Sequence, residues 1–188
     1  EGRSLLTDPG WVEKAQRGEL DEIKPCISCN EACINYLLLD QPISCLVNPG
    51  CGREREFAIT PVQQPKNVVV VGGGPGGLEA SRVLAERGHH VTLFEEDKHL
   101  GGEFVVAAQA PRKEEVTDAL RWQIRQVYKS GVNVRLGEHA TAEMILMLKP
   151  DAVVVATGSR PKVPKLRGLK RENTIIARDV LMGQAVPG

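Results

Sequence analysis

The chain has 188 residues, and its 24 basic side chains balance 24 acidic ones to give a formal net charge of zero. A neutral chain lacks the electrostatic footprint of a nucleic-acid binder, and 41% apolar with 26% charged residues is the composition of a folded protein, not a disordered one. No apolar run approaches the ~20 residues that span a bilayer, and no basic stretch followed by an apolar core opens the chain, so neither a membrane span nor a secretory signal is expected.

Taken in order, Glu1 to Leu20 reads as a connector with one helix. Asp8-Pro9-Gly10 is a turn and helix-start signal, and Trp11 to Arg17 gives about two turns before Gly18. Residues 21–60 lack strong periodicity and hold all five cysteines: Cys26, Cys29, Cys33, Cys45 and Cys51. Such a segment is a poor candidate for a self-sufficient core and needs an external staple. The cysteines are clustered, odd in number and without a signal peptide. They point to metal ligation or redox chemistry in a reducing cytoplasm, not to a disulfide scaffold. Thr60 to Pro65 reads as a linker, which divides the chain into residues 1–62 and 63–188.

From Lys66 the pattern becomes regular. Val68 to Val71 is a β-branched run suited to a strand buried on both faces. Glycines follow, then a helix from Gly77 to Glu86 closed by Arg87-Gly88, then a second strand from His90 to Phe94. Val116, Leu120, Ile124 and Val127 form one apolar stripe on a helix of roughly four turns. Gly131 ends it, Val132 to Leu136 is a short strand, Ala142 to Leu148 a further helix, and Asp151 to Val155 another strand of the central type. Strands alternating with helices predict an α/β fold with a doubly wound, parallel Rossmann-type sheet.

Gly72-Gly73-Gly74-Pro75-Gly76-Gly77 satisfies G-x-G-x-x-G at Gly72, Gly74 and Gly77, between a buried strand and a helix. The first glycine makes the tight turn, the second admits a pyrophosphate to the backbone, and the third lets the helix sit close to the strand. A glycine-rich turn built only for packing is the alternative. Glu95, 23 positions after Gly72, stands where a carboxylate accepts ribose hydroxyls; strand alternation favours it over Glu96. An acid here argues against a 2′-phosphate.

Cys26-x2-Cys29-x3-Cys33-x11-Cys45 is the second constellation. Four thiolates can hold either a tetrahedral zinc or an iron–sulfur cluster, and four unrelated buried thiols are the plain alternative. Three cysteines in an eight-residue stretch with a remote fourth fit a cubane better than paired zinc knuckles. Cys51 is left over and reads as an unliganded thiol near the site. His89, His90, His99 and His139 form no metal spacing, no nucleophile motif occurs, and Arg53-Glu54-Arg55-Glu56 is a solvated face.

The cysteine block with Ser44-Cys45-Leu46-Val47-Asn48-Pro49, followed by the dinucleotide fingerprint, strongly resembles the iron–sulfur flavoenzyme branch of the old yellow enzymes. That branch comprises the 2,4-dienoyl-CoA reductases, 2-enoate reductases and trimethylamine dehydrogenases. The resemblance extends to Leu100-Gly101-Gly102-Glu103-Phe104, Pro111 to Glu115 and Ala156 to Pro161. Gly2 to Pro9 looks like the end of the family's FMN-binding barrel.

The resemblance implies a 4Fe–4S cluster on Cys26, Cys29, Cys33 and Cys45. It also implies FAD, or ADP in the trimethylamine dehydrogenase subgroup, on Gly72, Gly74, Pro75, Gly76, Gly77 and Glu95. Gly102 and Glu103 match the position that approaches the flavin, although dienoyl-CoA reductases tend to have glutamine in place of Glu103. Ala140 matches a backbone contact near the adenine, and Ala156, Thr157 and Gly158 match the loop back towards the flavin.

By the same resemblance, residues 1–62 are the end of the barrel linker with the cluster segment, and 63–188 an incomplete FAD domain. The FMN barrel that meets the small-molecule substrate lies upstream, and the NAD(P)H unit downstream. The implied activity is electron transfer from NAD(P)H through FAD and the cluster to FMN, for reduction of an enoate or dienoyl-CoA double bond. The chain alone is then a non-catalytic fragment. An amine dehydrogenase with ADP at this site, or a non-catalytic zinc-stapled dinucleotide-binding module, are the competing readings.

Overall fold

The computed structural model describes residues 2–168 and 174–186; residues 1 and 188, the outer limits of the two expected domains, lie outside them. Four strands form the sheet: β1 (Asn67–Val71), β2 (His90–Glu95), β3 (Asn133–Leu136) and β4 (Ala152–Val155). Their order is β3-β2-β1-β4 and every pairing is parallel, so the strand order reverses at β1. In open α/β sheets the crevice at such a reversal is where ligands bind.

Between β1 and β2 runs helix α4 (Pro75–Glu86). It starts two residues before the expected Gly77, because Pro75 occupies the first helical position, where its fixed φ is favourable and its missing N–H is no loss. Gly88, at φ +95°, ends the helix with a hydrogen bond from its N–H to the Ala85 carbonyl. Helix α6 (Glu114–Lys129) precedes β3, and α7 (Ala142–Met147) lies between β3 and β4, its start capped by Thr141, whose Oγ1 accepts from the Met144 N–H.

Helices α4 and α6 pack on each other and close the main core, in which Val70, Leu78, Val91, Leu93, Leu100, Leu120, Val127 and Val132 are buried. Of the expected stripe on α6, Leu120 and Val127 are buried in this core and the partly buried Ile124 packs on it, whereas Val116 is buried in a separate small core. The same helix buries a second face, carrying Ala119 and Trp122, that its spacing did not announce.

One expectation is corrected. Among the described residues the strand at 151–155 is not central: β4 pairs only with β1, and Val153 and Val155 are 43% and 74% exposed. Its β-branched run is that of a strand buried on both faces, yet among the described residues nothing covers these two valines.

The N-terminal part holds two helices where one was expected, α1 (Gly2–Thr7) and α2 (Trp11–Gln16), and α3 (Ile34–Leu38) sits within the cysteine segment. That segment gains its anchorage from the sheet domain. Ile27 forms a small core with Val116 and Ala119 of α6, against which Cys29, Val47, Ala108 and Phe104 pack. Nearby, Trp122 Nε1 donates to the Glu22 carbonyl at 3.1 Å, and Arg125 reaches both the carbonyl and the carboxylate of Asp21. The Lys24 ammonium stands 4.7 Å from the Trp122 ring centroid, and burial pushes it below its ordinary pKa.

Candidate functional site

Two candidate sites adjoin α5 (Glu103–Ala107), whose Phe104 packs both into the main core and against the small core around Ile27. The first is the turn from β1 into α4. After β1 the chain stays tied to the sheet, the Gly72 N–H donating to the Phe94 carbonyl, and then turns at φ +106°. A Cβ on Gly72 would overlap the Ala156 carbonyl, and one on Gly77 would overlap the Gly72 carbonyl. Both positions therefore require glycine for the close approach of turn, helix and β4 end. Gly76 has open space where a Cβ would lie, so the first turn of α4 presents its backbone outward beside Pro75. The N–H groups of that turn have no intrahelical acceptors, and no acidic side chain occupies them. Backbone donors at the positive end of a twelve-residue helix suit a pyrophosphate.

Glu95 ends β2 and is 8% exposed. Its Oε2 accepts from the Gly73 N–H at 2.6 Å and its Oε1 from the Asp97 N–H at 2.8 Å, so the carboxylate is fixed against the glycine turn. Gly73, which the motif leaves unassigned, is needed here because a Cβ on it would press on Glu95 and Leu100. Three consecutive glycines were the signal for it. Glu96 points elsewhere and pairs with His139 at 2.9 Å.

Gly102 comes from another loop yet meets the cradle directly. The Gly101 N–H donates to the Gly73 carbonyl at 2.8 Å, and a Cβ on Gly102 would lie 3.1 Å from the Gly74 Cα. Ala156 joins them through its N–H to the Val71 carbonyl. Ala140 is half-buried in the 137–140 loop, which two backbone hydrogen bonds, Gly137 to Asp97 and Glu138 to Glu95, hold beside the end of β2. Thr157 and Gly158 are exposed beyond the β4 end. Glu103 is turned to Arg178 of α8 (Ala177–Leu181), 3.1 Å away, a partner the sequence did not indicate.

The second site is a pocket walled by Cys26, Cys29, Cys33 and Cys45, with Ile27, Ala32, Leu46 and Val47, and with Arg3, Leu6 and Thr7 contributed by α1. All four cysteines are half-buried free thiols. Left-handed backbone at Ser28 and Asn30 curls the loop around them, and the Ser28 N–H reaches Cys26 Sγ at 3.4 Å. Among the described residues no three His, Cys, Asp or Glu side chains converge closely enough to hold a single metal ion. The thiols ring a pocket instead of meeting at a point. Cys51 does not line the pocket; it is 3% exposed, and burial, then Cys45, Glu54 and Cys33, raise its thiol pKa. No histidine lines the thiol pocket; His89 accepts from the Lys66 N–H and His139 pairs with Glu96.

Residues 66–184 match the pyridine nucleotide-disulphide oxidoreductase family. The chain is 43% identical over 187 residues to the NADH oxidase of Thermoanaerobacter brockii, an alignment that covers 97% of this chain and 29% of that enzyme. It is 41% identical over 186 residues to the bilirubin reductase of Mediterraneibacter gnavus, covering 99% of this chain and 29% of the relative. Among solved structures, a 2-naphthoyl-CoA reductase in complex with 2-naphthoyl-CoA superposes with a TM-score of 0.92 at 34% identity, over 99% of this chain and 28% of that one. The chain thus spans under a third of the length of the curated relatives it matches. No helix among the described residues is long and apolar enough to cross a membrane.

Proposed function

We propose a function from one premise: the chain belongs to the pyridine nucleotide-disulphide oxidoreductase family, and its motifs resemble those of the iron–sulfur flavoenzyme branch of the old yellow enzymes. On our reading it is the electron-transfer portion of an NAD(P)H-dependent reductase that acts on an activated carbon–carbon double bond. Residues 1–62 carry the cluster, 63–188 an FAD domain completed by further chain, and an FMN barrel meets the substrate. When bound, FAD supplies hydride chemistry and a 4Fe–4S cluster one-electron transfer towards FMN.

The protein's part is to hold these groups. The α4 N-terminus and the backbone at Gly74, Pro75, Gly76 and Gly77 would take the pyrophosphate, and Glu95 the ribose. The Gly102 backbone, with Glu103, would line the flavin side, Ala140 the adenine, and Ala156 to Gly158 the return towards the ring. Cys26, Cys29, Cys33 and Cys45 would each ligate one iron. A ring of four thiols around a pocket suits a multi-atom cluster better than one zinc, whose Zn–S bonds of ~2.3 Å draw the sulfurs to a point.

The observation that carries the reading is contiguity. Phe104, directly after the Gly102-Glu103 corner, packs both into the main core and against the small core of Ile27, Val116 and Ala119, on which Cys29 of the pocket also packs. Anaerobic purification followed by iron, acid-labile sulfide and nucleotide analysis tests it. We expect about four irons and four sulfides, dithionite-bleachable absorption and extracted FAD. Stoichiometric zinc in a colourless protein would overturn the cluster assignment. ADP in place of FAD would move the chain to the amine dehydrogenase arrangement.

A further inference from the structure

Thr7 closes α1 and is 2% exposed, and its hydroxyl sits between two acceptors. Oγ1 is 3.0 Å from the Arg3 carbonyl, to which it donates, and 3.7 Å from Cys45 Sγ, within reach for a bond to sulfur. A hydroxyl carries one proton. While Cys45 is a thiol, its own S–H can donate to Oγ1, and the Thr7 proton stays on the Arg3 carbonyl. A cysteine that ligates iron is a thiolate and has no proton to give. The only proton left between the two side chains is then that of Thr7, and the more negative partner is the sulfur.

We infer that Thr7 is a tuning residue for the cluster proposed above: its hydroxyl donates to Cys45 Sγ and stabilises the reduced state. The argument rests on the cluster reading. Adding one electron to the cluster places negative charge partly on its ligand sulfurs, so a donor there strengthens on reduction and raises the potential. The site is built for such a bond. Among the described residues Thr7 is the one hydroxyl in the pocket wall, and water is largely excluded from it. Its helix is held there by Asn48, whose Nδ2 donates to the Leu6 carbonyl at 2.9 Å, and by Arg3, whose Nη1 donates to Asn30 Oδ1 at 2.8 Å. Cys26 receives a backbone N–H that no side-chain substitution removes. Cys45 receives a side-chain hydroxyl, which makes the contribution separable by mutation.

The experiment uses the intact, cofactor-loaded protein and the variants Thr7→Val and Thr7→Ser. Iron and acid-labile sulfide are counted first, then the cluster is titrated against dye mediators and followed by electron paramagnetic resonance. With cluster content at the wild-type level, Thr7→Val should lower the ratio of reduced to oxidised cluster at fixed poise about three- to tenfold, the upper end being about 59 mV for a one-electron couple. Thr7→Ser should restore most of it. After exchange into deuterium oxide, pulsed resonance on the reduced protein should show a strongly coupled exchangeable deuteron that Thr7→Val removes.

An unchanged potential in Thr7→Val, or a deuteron signal that survives it, overturns the inference. Should Thr7→Val fail to assemble, Thr7→Ala, which cannot overfill the site, takes its place. Loss of cluster in both with retention in Thr7→Ser would put the hydroxyl in assembly and overturn the tuning role. Absence of iron and sulfide from the wild type is a different failure, that of the cluster reading itself.

Discussion

Replacing Glu95 by glutamine tests the ribose assignment and the local structure together. A carboxylate offers about four acceptor sites, and two are already taken by the N–H groups of Gly73 and Asp97. The remaining two are those a ribose diol would use. Glutamine keeps the shape but turns one oxygen into a donor, which must face either the Gly73 or the Asp97 N–H. One buried donor is then unsatisfied, at a cost of about 1–3 kcal/mol in folding stability. On the ligand side, at least one charge-assisted bond of about 1.5–3 kcal/mol is weakened. ADP affinity should therefore fall by roughly one to two decades. The backbone donors of α4 are untouched, so binding weakens without vanishing. Removing the negative charge should also narrow the preference for ADP over its 2′-phosphate. Calorimetry with both ligands, alongside chemical denaturation, reads all three effects. An ADP affinity within twofold of wild type, in a variant shown to be destabilised, would refute the reasoning, because the carboxylate would then serve the turn alone.

The remaining predictions concern the glycines and thiols. Gly77→Ala should abolish nucleotide binding and lower the melting temperature, since its Cβ would overlap the Gly72 carbonyl, whereas Gly76→Ala should fold normally; calorimetry and thermal melts separate them. Cys29→Ser should lower iron content and expose residues 21–60 to protease, because ligation supplies folding free energy there. Cys51→Ser should leave iron unchanged, and loss of iron there would mean that the ligand set is misassigned. Cys51 also predicts a pH dependence. Its folded pKa is raised, first by burial, so the stability it contributes is fully present below the ordinary thiol range and is lost as pH rises through the raised value. The wild type should thus lose its margin over Cys51→Ser in alkaline denaturation melts.

The sheet was legible because its signals are local. β-branched runs, a glycine turn and a stripe on α6 each dictate one element, and together they dictate a parallel sheet. What was not legible depends on contacts between elements far apart in sequence. Trp122 lies off the stripe of Val116, Leu120, Ile124 and Val127, and its indole N–H donates to the carbonyl of Glu22, a hundred residues earlier. The edge position of β4 is a fact about which strands pair. A β-branched run carries the same pattern at an edge or a centre, so Ala152 to Val155 gave no hint. At the sites, residue types with stringent requirements were readable: glycines that must lack a Cβ, an acid at a strand end, and thiols at ligand spacing. Thr7, Phe104 and Arg178 were not, because a threonine at a helix end, a phenylalanine and a surface arginine have ordinary uses everywhere.

The chain from glycine cradle to thiol pocket explains why two unrelated motifs occupy one polypeptide. Gly74 abuts Gly102, Gly102 opens α5, Phe104 lies in its first turn, and Phe104 touches the core formed by Ile27, Val116 and Ala119, against which Cys29 packs. Each link is side-chain or backbone packing, not a tether, and packed interiors resist displacement. A flexible linker alone, such as residues 60–65, would let the pocket sample many positions relative to the cradle. On the function proposed above, electron transfer between two bound groups would require a short and fixed separation, and packing through α5 would hold it. The cysteine segment has too little core to fold by itself, yet it borrows α6 as its floor. Dependence on the nucleotide domain for stability is thus the same feature that holds the two sites in register.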